Sequence, residues 1–339
     1  MRRAIALSRR GHPAPNPRVG CVIVRDGRVV GEGFHAYAGG PHAEVVALAE
    51  AGDEALGARV FVTLAPCNHT GRTGPCSEAL LAAGVAEVVA AVDDPNPVAA
   101  GGMARLAAAG VRVSSGLLAE EAESANRAFL TAVRRGWAYV TLKAAMSLDG
   151  RISAARGQST RITGEAARRE AHRLRAEAGC VLVGRGTVEA DDPRLTVRGF
   201  RVRNQPVRVI LDPSGELSRS HAVFAGPGGS WQVVRGPAGP GQISVKYGSG
   251  GFDLRELLHS LYGLGVTAVL VEGGGKTIGS FLASGLGDRV ELFVAPFVLG
   301  DGPMWAEGLS GGTVRETAGF RLERVRRLGS DAQLSLVRD

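Results

Sequence analysis

Residues 41–76 read PHAEVVALAEAGDEALGARVFVTLAPCNHTGRTGPC, and this stretch decides the fold of the first half of the chain. HAEVVALAEA predicts a helix beginning at His42, and ARVFVTL predicts a strand that runs into a loop carrying Cys67. Pro75 predicts the opening of a second helix, with Cys76 at its start, because proline is favoured in a first helical turn. Helix, strand and helix in succession predict a sheet with helices packed on its faces. The pattern extends in both directions. Upstream, residues 3–10 predict a short helix, and VGCVIV and VVGEGF two strands joined by Asp26-Gly27, a hairpin pair. Downstream, AEVVAAV, an alanine-rich helix and VRVSSG continue the alternation. GLLAEEAESANRAFLTAVRRG then predicts a long helix stopped by Gly136.

Within the same stretch, twenty-four residues separate His42 from Cys67 and eight separate Cys67 from Cys76. One imidazole and two thiolates make three strong zinc ligands and leave a fourth position for water, which distinguishes a catalytic zinc from a structural one. Glu44 does not bind metal in this reading; it takes a proton from the water and delivers it to a ring nitrogen and a leaving amine. The positive end of the second helix is expected to favour thiolate at Cys76. The competing reading is a closed structural zinc site or unrelated core residues, and a closed site needs a fourth ligand, for which His69 is the nearby candidate. His-x-Glu followed by Pro-Cys and a second Cys matches zinc deaminases in order and flanks.

The rest of the chain sets bounds. At 339 residues two domains are expected, with the boundary near Gly136, where a new strand-like run, YVTLKAA, begins. The second half alternates strand and helix again: GCVLVG, VRVILD, WQVV, a helix from Asp253, VTAVLVEGGG, and strand-like segments around 291–298 and 322–337. Residues 225–251 are glycine-rich and predict a loop. Cys21 and Cys180 lie in apolar runs and read as small core residues. A net charge of +7 suits either nucleic acid or an anionic metabolite. The arginines are scattered, with no basic stripe and no aromatic-rich strands, so a phosphorylated small molecule is the better partner and nucleic acid is not expected. No apolar run reaches the ~20 residues that cross a bilayer, and none forms a signal peptide. A cytoplasmic homo-oligomer without membrane contact is expected.

Four segments of the first half, NPRVGCVIVRDG, PHAEVVAL, TLAPCNHTGRTGPC and DDPNPVAAGG, closely resemble the bifunctional riboflavin-biosynthesis deaminase–reductase family. Its long spacing between the two cysteines is present here as NHTGRTGP. LKAAMSLDGRIS, GRGTVEADDPRLTVR and VEGGGKTIGSF resemble the reductase domain of the same family. The resemblance implies an α/β chain: a cytidine-deaminase-like three-layer α/β/α domain over residues 1–136, followed by a dihydrofolate-reductase-like α/β domain over 137–339. It implies zinc-dependent deamination of a diaminopyrimidinone ribosylamino phosphate, then reduction of the ribosyl group to ribityl by NADPH. It also implies roles by position. Asn16, His69 and Arg72 resemble residues that hold the deaminase substrate. Ser159, Arg175, Leu195, Arg198 and Glu272 match substrate positions of the reductase. Ala145, Arg161, Thr187, Asp191, Gly274, Gly275, Lys276, Thr277, Ile278, Gly279 and Ser280 match NADPH-binding positions, and Lys143 and Asp149 belong to the same pattern.

Two positions depart from the family. Residue 65, before Pro-Cys, is alanine where glutamate is usual, which predicts a lost hydrogen bond and a less rigid Cys67 loop. Residue 161 is arginine where tryptophan usually stands beside the cofactor. A chain with Arg161 at that place could be a deaminase alone with an impaired reductase domain, and two other functions would use the same zinc motif. A nucleic-acid deaminase explains the basic charge but not the second half; a zinc-stabilised binding protein predicts that Glu44 is dispensable and that metal removal unfolds the domain.

Overall fold

Asp26 and Gly27 take φ values of 50° and 76°, the left-handed pair that a tight hairpin turn requires. They join β1 (Gly20–Arg25) to β2 (Arg28–Phe34). The computed structural model describes residues 1–70, 74–309 and 319–338. Its internal contacts divide the chain into two units, Met1–Arg135 and Gly136–Asp339.

In the first unit the other elements are α1 (Arg2–Ser8), α2 (Ala43–Ala51), β3 (Arg59–Leu64), α3 (Cys76–Ala82), β4 (Glu87–Val92), α4 (Gly102–Ala108), β5 (Arg112–Ser114) and α5 (Ala119–Arg135). The sheet runs β2-β1-β3-β4-β5, with β1 antiparallel to both neighbours and β3, β4 and β5 parallel. One face packs Ala43 and Ala47 of α2, Leu80 of α3 and Leu106 of α4 against Cys21, Ile23, Val60 and Val62. The other packs Ile5 of α1 and Leu130 of α5 against Leu64 and Val92. Three layers result, because the inner strands β1, β3 and β4 carry buried residues on both faces.

The second unit contains β6 (Tyr139–Ser147), α6 (Glu165–Ala178), β7 (Cys180–Gly184), α7 (Arg185–Asp191), β8 (Val207–Leu211), β9 (Ser230–Val234) and β10 (Gln242–Ser244). A small ribbon of β11 (Tyr247–Gly248) and β12 (Gly251–Phe252) follows, then α8 (Leu254–Gly263), β13 (Ala268–Val271), α9 (Gly275–Ala283), β14 (Arg289–Ala295), β15 (Arg321–Leu328) and β16 (Asp331–Val337). Asp253 caps α8 by accepting from the backbone of Arg255 and Glu256, the bonding that starts a helix well. The sheet order is β10-β9-β8-β7-β13-β6-β14-β16-β15. The first seven strands are parallel, and β16 is antiparallel to both β14 and β15.

From β7 the chain passes through α7 to β8, whereas from β13 it passes through α9 to β14 on the opposite side. The order therefore reverses between the adjacent strands β7 and β13, and ligands of open α/β sheets bind at the carboxyl ends of such strands. Residues 225–251 are not the plain loop their glycines predict. Gln242–Ser244 pairs in parallel with Gln232–Val234 and extends the sheet by one strand. Cys21 and Cys180 are fully buried in β1 and β7.

Candidate active sites

His42 sits at the N-cap of α2, Cys67 just beyond the end of β3, and Cys76 is the first residue of α3. The chain thus delivers three ligands from three elements to one point. His42 Nδ1 lies 3.1 Å from Cys76 Sγ and 3.6 Å from Cys67 Sγ, and all three donor atoms fall within 4.8 Å of one another. That spacing suits one zinc ion bound at about 2.0–2.3 Å from each atom. His69 is not in the cluster. It lines the adjacent pocket, and among the described residues its buried Nδ1 has no hydrogen-bond partner. The donor set is therefore three, and its remaining side opens on the pocket, as hydrolysis requires.

Electrostatics sharpen the arrangement. Cys67 is drawn down to about 4, first by the Cys76 thiol that donates to it, and further by His42 and the Cys76 backbone. The Cys76 amide, at the start of α3, points at Cys67 Sγ from 3.5 Å. The helix terminus thus also serves Cys67, and the Cys76 thiol, hydrogen-bonded to the Cys67 sulfur, is pushed up. Glu44 is buried, 3% exposed, and desolvation raises its carboxyl to about 7. At neutral pH it both accepts and releases a proton.

The Cys67 loop is held by bonds that do not involve the residue 65 side chain. Ser77 N donates to Cys67 O, Asn68 N to Ala99 O, and Ser77 Oγ to Asn68 Oδ1 at 2.7 Å. Gly102 lies so close that a Cβ there would sit 1.8 Å from the Pro66 carbonyl oxygen. Ala65 itself keeps a backbone bond to Val92 O.

Asn16, His35, His69, Asp94, Asn96 and Phe129 line the pocket around Glu44. His35, Asp94 and Asn96 were not legible as site residues in the sequence, where no spacing rule singles them out. His35 Nδ1 donates to Pro41 O at 2.9 Å, which leaves Nε2 to accept from Asn16 Nδ2 at 3.1 Å. Burial holds His35 below the usual histidine range, so the neutral form persists. The Asn16 amide is thereby oriented with its oxygen free. Arg72 lies outside the described residues.

In the second unit, Arg175 of α6 grips Glu272 through Nε at 2.6 Å and Nη2 at 3.0 Å, and Lys143 of β6 stands 3.6 Å from the same carboxylate. Three residues remote in sequence form one buried charged cluster. Burial alone would raise the Glu272 carboxyl, but Arg175 and Lys143 hold it down at about 2. Leu195 is 4% exposed and belongs to a core cluster with Val181 and Ile210, so only its backbone, at φ 53°, can meet a ligand. Arg198, Ser159 and Arg161 are exposed.

The turns after β7 and β13 meet at the point of reversal. Gly274 N donates to Thr187 Oγ1 at 3.1 Å, and Gly184 and Gly273 both lie against Thr277. Gly275, Lys276 and Thr277 give the first turn of α9 free amides, a ready anion site. Ile278 and Gly279 face inward, Gly279 against the Glu307 carbonyl, and Ser280 bonds the Lys276 carbonyl. Ala145 lies on β6 opposite Phe293, and Asp191 ends α7, exposed.

Residues 1–92 match the cytidine and deoxycytidylate deaminase zinc-binding region, and residues 138–334 match the RibD C-terminal domain. The riboflavin biosynthesis protein RibD of Escherichia coli K12 is 40% identical over 361 residues, covering 99% of this chain and 98% of the relative. The solved structure of Acinetobacter baumannii RibD superposes with a TM-score of 0.91 at 40% identity, covering 100% of this chain and 97% of that one. A Thermotoga maritima diaminohydroxyphosphoribosylaminopyrimidine deaminase/5-amino-6-(5-phosphoribosylamino)uracil reductase does so with 0.88 at 35% identity, covering 100% and 97%. With a cytidine-deaminase-like domain that binds zinc and a dihydrofolate-reductase-like domain that uses NADPH, this chain belongs to the RibD family of bifunctional deaminase–reductases of riboflavin biosynthesis.

Proposed function

We propose that residues 1–136 hydrolyse the exocyclic amine of 2,5-diamino-6-ribosylamino-4(3H)-pyrimidinone 5′-phosphate, and that residues 137–339 reduce the ribosyl group of the product to a ribityl chain. The observation that carries the first step is the convergence of His42, Cys67 and Cys76 beside a buried Glu44, with the open side of the cluster on the pocket. Held by these three residues, zinc supplies Lewis acidity that brings the pKa of water to about 7. Glu44 Oε takes one proton from the attacking water and gives it to the ring nitrogen, then takes the second from the added hydroxyl and gives it to the departing amine. The water oxygen bonds to the ring carbon, the C–N bond breaks, and ammonia leaves. Asn16 and His69 orient the ring, and Arg72 is assigned to the same substrate by its position in the family pattern; the Leu64, Ala65 and Phe129 walls limit bulk water.

The second step needs a hydride at C1′ of the sugar, which NADPH would supply. The α9 first-turn amides of Gly275–Thr277, with Gly274, Thr187 and Asp191 beside them, would hold it at the point of strand reversal, and Ala145, Arg161 and Ile278–Ser280 are assigned to the same cofactor by position. Arg175, Glu272, Ser159, the Leu195 backbone and the exposed Arg198 hold the substrate. The enzyme is taken to be a cytoplasmic homo-oligomer on family grounds.

The test is a coupled assay of the zinc-loaded protein with the diaminopyrimidinone substrate and NADPH, following ammonia and NADPH absorbance together. Ammonia release followed by NADPH consumption is expected. Ammonia without NADPH loss would refute the second assignment, and no ammonia from zinc-replete protein would refute the first.

A further inference from the structure

Among the described residues, the segment Thr196–Arg198, between α7 and β8, has no strand or helix partner for its backbone, yet four consecutive backbone groups are taken by side chains. Arg175 Nη1 donates to Thr196 O at 3.1 Å. The Gln205 amide takes both groups of Val197: Oε1 accepts from its N–H at 2.7 Å, and Nε2 donates to its carbonyl at 3.2 Å. His172 Nδ1 accepts from Arg198 N–H at 3.2 Å. A carboxamide offers a donor and an acceptor in one plane, so Gln205 replaces a β-strand neighbour at Val197. His172 and Arg175 lie three residues apart on α6 and therefore on one face.

Two anchors flank these bonds. Leu195 keeps φ at 53° with its side chain in the core, a conformation that persists where the surroundings over-determine it. Val197 is 5% exposed. The chain therefore alternates, Val197 inward and Arg198 outward. His172 can accept at Nδ1 only while neutral; burial first, then the Arg175 and Arg198 cations, holds it below the usual histidine range.

We infer that His172 and Gln205 are positioning residues of the reductase, which with Arg175 clamp the 196–198 backbone so that the Arg198 guanidinium is held ready for the anionic group of the substrate. This rests on the assignment of Arg198 to substrate given above. No part of the clamp touches the reacting atoms; it spares the substrate the cost of ordering the segment, and so acts on binding.

The experiment measures steady-state reduction by the full chain, supplied with already deaminated substrate, for His172→Leu, His172→Asn, Gln205→Glu and Arg198→Ala, with ammonia release and thermal unfolding beside it. His172→Leu leaves the Arg198 N–H without its acceptor. It is expected to raise KM for the pyrimidine substrate about tenfold, the factor carried by ~1.4 kcal/mol. KM for NADPH and the deamination rate stay level. His172→Asn, whose Oδ1 replaces Nδ1 as acceptor, restores most of the loss, and Gln205→Glu, which turns a donor into a charge facing a carbonyl, raises the same KM. If Arg198→Ala raises KM but His172→Leu does not, the clamp is wrong and the Arg198 assignment stands. If Arg198→Ala leaves KM unchanged, that assignment fails and the clamp with it. Equal rises in both KM values, or failure of Asn to rescue, would reduce His172 to a structural residue and overturn the inference.

Discussion

The two units solve the problem of presenting reactive groups in opposite ways. In the first, the reactive groups are the chain's own: one residue ends a strand, one starts a helix and one caps another, and their ligand atoms meet within 4.8 Å. Burial there makes a carboxyl that exchanges its proton at about pH 7. In the second, Lys143, Arg175 and Glu272 remain charged in the interior by neutralising one another, and glycine-bordered turns leave room for a cofactor that brings the hydride. One unit tunes a proton and the other holds charges still. Interference should therefore strike the two in different quantities, rate in the first and stability or affinity in the second.

The sharpest separation comes from metal removal. A chelator is expected to abolish ammonia release while reduction of pre-deaminated substrate continues, and added zinc should restore the lost step. A parallel fall in reduction would break the contrast between the units. Next in size, Glu44→Gln should lower ammonia release about 10²–10⁴-fold with zinc content unchanged. A variant that keeps its rate would make Glu44 a structural residue.

The third effect is on stability. Glu272→Gln strands two buried cations, which costs about 3 kcal/mol, read as a lower unfolding temperature. The carboxyl lies at about 2 in the folded chain against 4.5 in a model peptide. Its contribution is therefore complete above about pH 4.5 and is lost as pH falls towards 2. The stability difference between wild type and variant should shrink over that window. A gap that is unchanged between these pH values would show that the carboxylate is not what the two cations hold. The smallest expected effect is Thr187→Val, which removes the acceptor for Gly274 N. A two- to fivefold rise in KM for NADPH, about the worth of one hydrogen bond, should leave ammonia release untouched.

Legibility in the sequence follows the same division. The zinc ligands could be read because metal chemistry restricts residue types and spacing, and because a helix start and a strand end locate side chains without knowledge of the rest. That the Cys76 amide points at the Cys67 sulfur could not be read, because it is a matter of loop path. His35 was hidden for a related reason, since it acts through Pro41 and Asn16 rather than within a motif. In the second unit Lys143, Arg175 and Glu272 are brought together by sheet order, so only resemblance pointed to them. Helix α6 announces itself poorly: its buried face is largely Ala167, Ala171, Leu174 and Ala176, with Glu170 among them. Alanine contrasts too weakly with charged neighbours to give a clear period.

The pairing of β6 has a consequence for synthesis. Val140 must pair with Val269 and Thr141 with Arg289, so β6, an interior strand of the second sheet, is made long before either neighbour. At translation speeds of 5–20 residues per second, that interval is roughly 10 s. The first unit, whose sheet partners are all upstream of Gly136, can complete its sheet and capture metal during it. The nascent β6, with Val140, Leu142, Ala144 and Met146 on one face, waits meanwhile without a partner. The slow, aggregation-exposed stage of biogenesis thus belongs to the reductase half, and a ribosome pause or chaperone contact would matter most between residues 147 and 268.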